Sequence, residues 1–197
     1  MASSVAGHRA AFGADIVPGV YEDLETADTI VLVGSNLAWC HPVLFQRIQA
    51  AKAARPHMMV VNIDPRQTAT SDLAEFELRI RPGSDVALFA GLLAAIERRG
   101  VADQCYLRRF VGSPRQAFDA ARPMTLDAVA AATGLSTERV AAFYDLWLAN
   151  ERVVTVYSQG VNQSVEGSRK VQAILNCHLA TGRIGRTGMG PFSVTGQ

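Results

Sequence analysis

The sequence predicts an α/β protein in which a parallel sheet is flanked by helices. Three observations predict it. Runs of β-branched and aliphatic residues at 29–33, 58–63 and 153–157 carry no polar alternation, as expected of strands buried on both faces. Helical apolar spacing separates these runs, and each run is followed by Gly, Ser, Asn, Asp or Pro. Alternation of that kind places crossover helices over a parallel sheet.

The elements follow in order. The run at 29–33 is the first strand, and a helix over 42–55 places Val43, Leu44, Ile48 and Ala51 on one side. The second strand, 58–63, is stopped by Asp64-Pro65, because proline disfavours a continuing regular element. Residues 77–80 read as a third strand that leads into Pro82-Gly83-Ser84-Asp85. Ser84 or Asp85 then caps a helix over 86–98. Between 102 and 150 strand signal is weak. Helices over 126–132 and 137–148, parted by Gly134, make this stretch a helical insertion in a single domain spanning 1–197, with the hydroxyl of either Ser136 or Thr137 as a cap. The strand at 153–157 ends at Ser158, and a last helix over 167–180 carries Val171, Ile174, Leu175, His178 and Leu179 on one face. His178 is read there as a core histidine. The tail, 181–197, holds five glycines and is expected to be an irregular loop.

Composition excludes several function classes. Lys and Arg number 19 against 18 for Asp and Glu, so no strong field points to nucleic acid. No apolar run reaches the ~18 residues of a membrane span, and a secretory signal is not seen. The expectation is a cytoplasmic protein with no nucleic-acid or membrane partner. Cys40, Cys105 and Cys177 form no Cys-x-x-Cys pair, which argues against a disulfide framework, a structural zinc or an iron–sulphur site.

The turn after the first strand carries the first chemical signal. Gly34-Ser35-Asn36 ends a buried strand just before a helix, where backbone amides and the helix start favour an anion such as a phosphate. Asp64 ends the next strand, where an acceptor can meet ribose hydroxyls in nucleotide-binding sheets. Gly34, Asp64, Asp85 and Gly160 all follow strands, so they are expected to line one crevice at one edge of the sheet. This is the arrangement of a Rossmann-like dinucleotide-binding domain, although the strict Gly-x-Gly-x-x-Gly spacing is absent.

Five motifs extend this reading. "GSNLAWCHPVLFQRI", "IDPRQTAT", "RPGSDVALF", "GVNQ" and "ILNCHLATGRIGRTGMGPFSVTGQ", taken together and in order, resemble the molybdopterin oxidoreductase superfamily, whose cofactor is molybdenum held by bis-molybdopterin guanine dinucleotide. Trp39-Cys40-His41-Pro42 with "GMGPFSVTGQ" is most similar to the assimilatory nitrate reductases of bacteria within it. The resemblance implies cofactor-binding roles. Gly34, Ser35 and Asn36 match the segment against the pterin and pyrophosphate. Asp64, Pro65 and Arg66 match the part that meets the guanosine. Gly83, Ser84 and Asp85 match the turn whose carboxylate accepts from the guanine edge, and Gln159, Gly160, Asn162 and Gln163 match a loop facing pterin and metal. Gln163 is the implied catalytic residue, as a donor to a nitrate oxygen. No residue here is implied as a metal ligand, since Cys40 lies outside the family's ligating segment.

The resemblance further implies nitrate as substrate, reduced to nitrite with electrons from a donor protein or domain. The family's cysteine cluster for an iron–sulphur centre has no match, so this chain is expected to be an internal piece of a longer enzyme and inactive alone. A formate dehydrogenase of the same superfamily, a non-catalytic electron-transfer or structural relative, and a plain nucleotide-binding domain like that of thiamine-diphosphate enzymes are the competing classes.

Overall fold

A computed structural model describes residues 2–194. The chain opens with α1 (Ala2–Phe12) and the short α2 (Asp23–Thr26), then enters β1 (Thr29–Val33). The short α3 (Leu37–Cys40), α4 (Pro42–Ala54), β2 (Met59–Ile63), a 3-10 turn (Ala69–Leu73) and β3 (Phe76–Leu78) follow. Then come α5 (Asp85–Arg98), α6 (Gln104–Phe110), α7 (Pro114–Ala121), α8 (Leu126–Thr133) and α9 (Thr137–Ala149). The chain returns through β4 (Val153–Tyr157), the short α10 (Gln159–Asn162), α11 (Gly167–Ala180) and β5 (Gly190–Ser193).

All strand pairings are parallel, in the order β3-β2-β1-β4-β5. The order reverses direction between β1 and β4, the switch point of a doubly wound sheet. Val33 is level with both Ile63 and Tyr157, and Ile63 with Leu78, so the strands end flush. That alignment places Gly34, Asp64 and Ser158 side by side at one edge.

Alternation along the strands splits the core into two layers. Val31, Val33, Val61 and Ile63 face α5, α11 and the helices over them, with Leu88, Leu92, Trp147 and Ile174 among the buried partners. Ile30, Leu32, Val60 and Val154 face the opposite layer of Leu24, Leu37, Leu44 and Ile48. Covering both faces is what makes the strands continuously apolar. The expected insertion at 102–150 is the long connection from the sheet's β3 side back to β4, and it packs over α5. Two further helices stand within it. Asp103 caps α6 by accepting from Tyr106 N at 2.8 Å, and Pro114 begins α7. Of the two candidate hydroxyls, Ser136 caps α9 by accepting from Arg139 N at 3.3 Å.

Four sequence expectations are corrected. Val43 is 69% exposed, because α4 turns only Leu44 and Ile48 fully inward. The third strand ends at Leu78, after which the amide of Arg81 bonds Thr133 O and draws the chain to the end of α8. Ser84 makes no side-chain cap; its hydroxyl donates to Arg81 O at 2.7 Å. The tail contains β5, paired with β4 from Val154↔Gly190 to Tyr157↔Ser193. An outer strand tolerates Pro191, which lacks a donor, and Phe192 and Val194 join the second core layer. The final three residues of the tail motif, 195–197, lie outside the described residues. His178 is fully buried and its Nε2 shares a 2.8 Å hydrogen bond with Thr155 Oγ1, the core role read from its helical face.

Candidate functional site

A cleft of about 470 Å³ opens at the carboxyl ends of β1, β2 and β4, within the range of small-molecule sites. Gly34, Asn36, Asp64, Pro65, Arg66, Gly83, Asp85, Gln159 and Gly160 line it. The residues expected from separate motifs to share a crevice therefore do so.

The floor is a crossing of two backbones. Gly34 has φ +52°, and a Cβ on it would sit 2.9 Å from Gly160 Cα. A Cβ on Gly160 would sit 2.7 Å from Gly34 Cα, and Gly160 N donates to Gly34 O at 3.0 Å. The Gly34 amide itself bonds Ile63 O at 2.9 Å. Both glycines thus serve close chain approach at the switch point, and Gly34's own amide is not open to an anion.

Asn36 is held from the side. Its Oδ1 accepts from Thr70 Oγ1 at 3.0 Å, and the same hydroxyl accepts from Ala38 N at 3.1 Å. Thr70 is fully buried, so the 3-10 turn braces the turn after β1. Asp64 accepts through Oδ1 from Arg66 N at 3.0 Å, which folds Asp64-Pro65-Arg66 into a tight turn while both charged side chains remain on the cleft.

The deep wall holds a charge pair. Asp85, the first residue of α5, meets Lys170 of α11, with Oδ2 and Nζ 2.7 Å apart and side-chain exposures of 8% and 4%. Lys170 also donates to Gly160 O at 3.3 Å. The sequence reading missed Lys170, although a signal existed. It lies one helical turn before Ile174 and two before His178, so a lysine stands on the buried stripe of α11. Cys40, Ile80, Pro82, Ser158 and Ser164 also line the cleft unforeseen.

Four of the expected site residues stand apart from this lining. Ser35 is buried and its hydroxyl has no partner among the described residues. Ser84 turns back to Arg81. Asn162 is buried and accepts from Ser4 Oγ, which ties α10 to α1. Gln163 is exposed at the end of α10. Among the described residues no group of three His, Cys, Asp or Glu side chains could hold a metal ion.

Fold and cleft together define a doubly wound domain with a crevice of small-molecule size at its switch point. Residues 3–195 match the family described as molybdopterin oxidoreductase, and the chain belongs to that family. It is 49% identical over its whole length to a nitrate reductase of Klebsiella oxytoca, covering 22% of that protein. It is 45% identical to a nitrate reductase of Shewanella frigidimarina, covering 21% of it. The chain thus spans about a fifth of the length of these relatives. An acetylene hydratase structure from Pelobacter acetylenicus superposes with a TM-score of 0.76 over 89% of this chain, at 20% identity, and shares the fold.

Proposed function

We propose that the cleft binds one guanine dinucleotide arm of a bis-molybdopterin guanine dinucleotide cofactor, within a single domain of a cytoplasmic, assimilatory nitrate reductase. The observation that carries the reading is the meeting of Gly34, Asn36, Asp64, Arg66, Gly83, Asp85 and Gly160 on one cleft. The residues fit such a group. Gln159 lines the cleft and its Oε1 is buried without a partner among the described residues, an acceptor that a ligand N–H would satisfy.

In this reading Asp64 takes ribose hydroxyls, and Arg66 takes a phosphate oxygen or the base through its forked donors. The crossing of Gly34 and Gly160 keeps the floor low enough for a flat ligand. Asp85 accepts from the guanine edge. Ser84 supports the turn before Asp85 through its bond to Arg81 O, Ser35 stands buried behind the lining, and Asn162 fixes the loop that ends in Gln163. The bound molybdenum centre supplies two-electron removal of oxygen from nitrate, giving nitrite, with electrons delivered by a donor protein or domain. Gln163 donates to a substrate oxygen as negative charge builds on it.

The test is nitrate reduction by the enzyme carrying this chain, with an artificial electron donor and turnover normalised to molybdenum. Gln163→Leu is expected to lower turnover per metal while molybdenum content holds. Formate oxidation in place of nitrate reduction would overturn the substrate assignment. Unchanged turnover per metal would remove Gln163 from the chemistry.

A further inference from the structure

Lys170 has no place in the reading above, yet it is the most deeply buried cation on the cleft wall. We infer that Lys170 and Asp85 form one base-reading pair, in which the ammonium donates to the carbonyl oxygen of guanine while the carboxylate accepts from the ring and exocyclic N–H groups beside it. The inference rests on the guanine assignment and adds a residue to it.

The geometry supplies both halves. Nζ lies 2.7 Å from Asp85 Oδ2 and 3.3 Å from Gly160 O, so two acceptors among the described residues meet an ammonium with three hydrogens. One donor is left for a molecule in the cleft that Lys170 lines. A carboxylate likewise has more acceptor sites than one lysine fills. Guanine presents one acceptor, O6, directly beside two donors, N1–H and the N2 amino group. A fixed ammonium adjacent to a fixed carboxylate complements that edge. Adenine offers one donor beside one acceptor and would leave part of the carboxylate unmatched. Burial makes the pair rigid, since α5 and α11 hold the partners from opposite sides and Gly160 O anchors the ammonium to the cleft floor.

A buried donor left without its acceptor carries a desolvation cost, so a site built this way rejects the wrong edge. The test is calorimetric titration of the 197-residue chain with GDP and with ADP, for the unaltered protein, Lys170→Met and Lys170→Arg. The unaltered chain is expected to bind GDP more tightly than ADP. Lys170→Met should weaken GDP about tenfold or more, the loss for a hydrogen bond to a charged donor, while ADP changes by less than about threefold; Lys170→Arg, which keeps donors and charge, should recover part of the GDP affinity. Should Lys170→Met fail to fold by circular dichroism, the Lys170 ammonium ¹⁵N resonance of the unaltered chain decides, and it should shift on saturation with GDP. GDP affinity unchanged in a folded Lys170→Met chain, or a Lys170 resonance that GDP leaves in place, would overturn the pair. Absence of any GDP binding by the unaltered chain would overturn the guanine reading itself, a distinct outcome.

Discussion

Replacing Asp85 by alanine tests the buried charge pair as a structural element. The carboxylate and ammonium side chains are 8% and 4% exposed, so Asp85→Ala leaves Lys170 with Gly160 O, at 3.3 Å, as its one near partner among the described residues. Removing one member of a buried pair costs about 3–5 kcal/mol, because the remaining charge is uncompensated. A further few tenths of a kcal/mol, up to about 1, comes from losing an acidic residue in the first turn of α5. For a domain of this size a total loss of about 3–6 kcal/mol lowers the melting temperature by roughly 6–24 °C. The double variant Asp85→Ala with Lys170→Met removes the stranded charge, and it should regain about 2 kcal/mol or more of the loss. Urea unfolding at neutral pH measures Asp85→Ala, Lys170→Met and the double variant, closing the cycle. A single-variant loss near about 1 kcal/mol, the size of a helix cap, together with strict additivity in the double variant, would refute the pair and return Asp85 to capping.

Gly34→Ala and Gly160→Ala should each destabilise by about 2 kcal/mol or more, since either Cβ meets backbone within 3 Å; denaturant midpoints check this. Ile48→Ala should cost about 2–5 kcal/mol and Val43→Ala less than about 0.5, because only Ile48 is buried; equal losses would misplace the face of α4. Burial holds the imidazole of His178 well below its ordinary range, so the folded state binds fewer protons than the unfolded state below about pH 6.5. Its contribution is complete above that pH, and stability should fall on acidification by up to about 1.4 kcal/mol per pH unit. Burial also lowers His8 and adds to the same trend, and His178→Gln should flatten the profile.

The sequence made the sheet legible where strands are apolar on both faces and end in glycine or Asp-Pro. β5 escaped because Gly190 and Pro191, just after Gly188, look like loop residues, and only pairing beside β4 gives Gly190 and Pro191 strand geometry. Val43 was misplaced because one apolar residue at a helix start fits either side of the helix, and packing decides. The shared crevice was readable from strand ends alone. What those residues do there was only partly readable. Gly34's contact with Gly160 and Asn36's bond to Thr70 join segments more than 30 residues apart, and no local pattern reports such contacts. Lys170 was hidden for a related reason, since a lysine on an apolar stripe gains meaning only once Asp85 is seen opposite.

Nucleotide release tests the central claim most directly. The enzyme carrying this chain, purified from cells that make the cofactor and treated with acid, should release GMP in proportion to its molybdenum. GMP and molybdenum per mole of protein should fall together in Asp85→Ala, whose cleft lacks the carboxylate for the base. Release of AMP, or of no nucleotide from protein that holds molybdenum, would contradict the account.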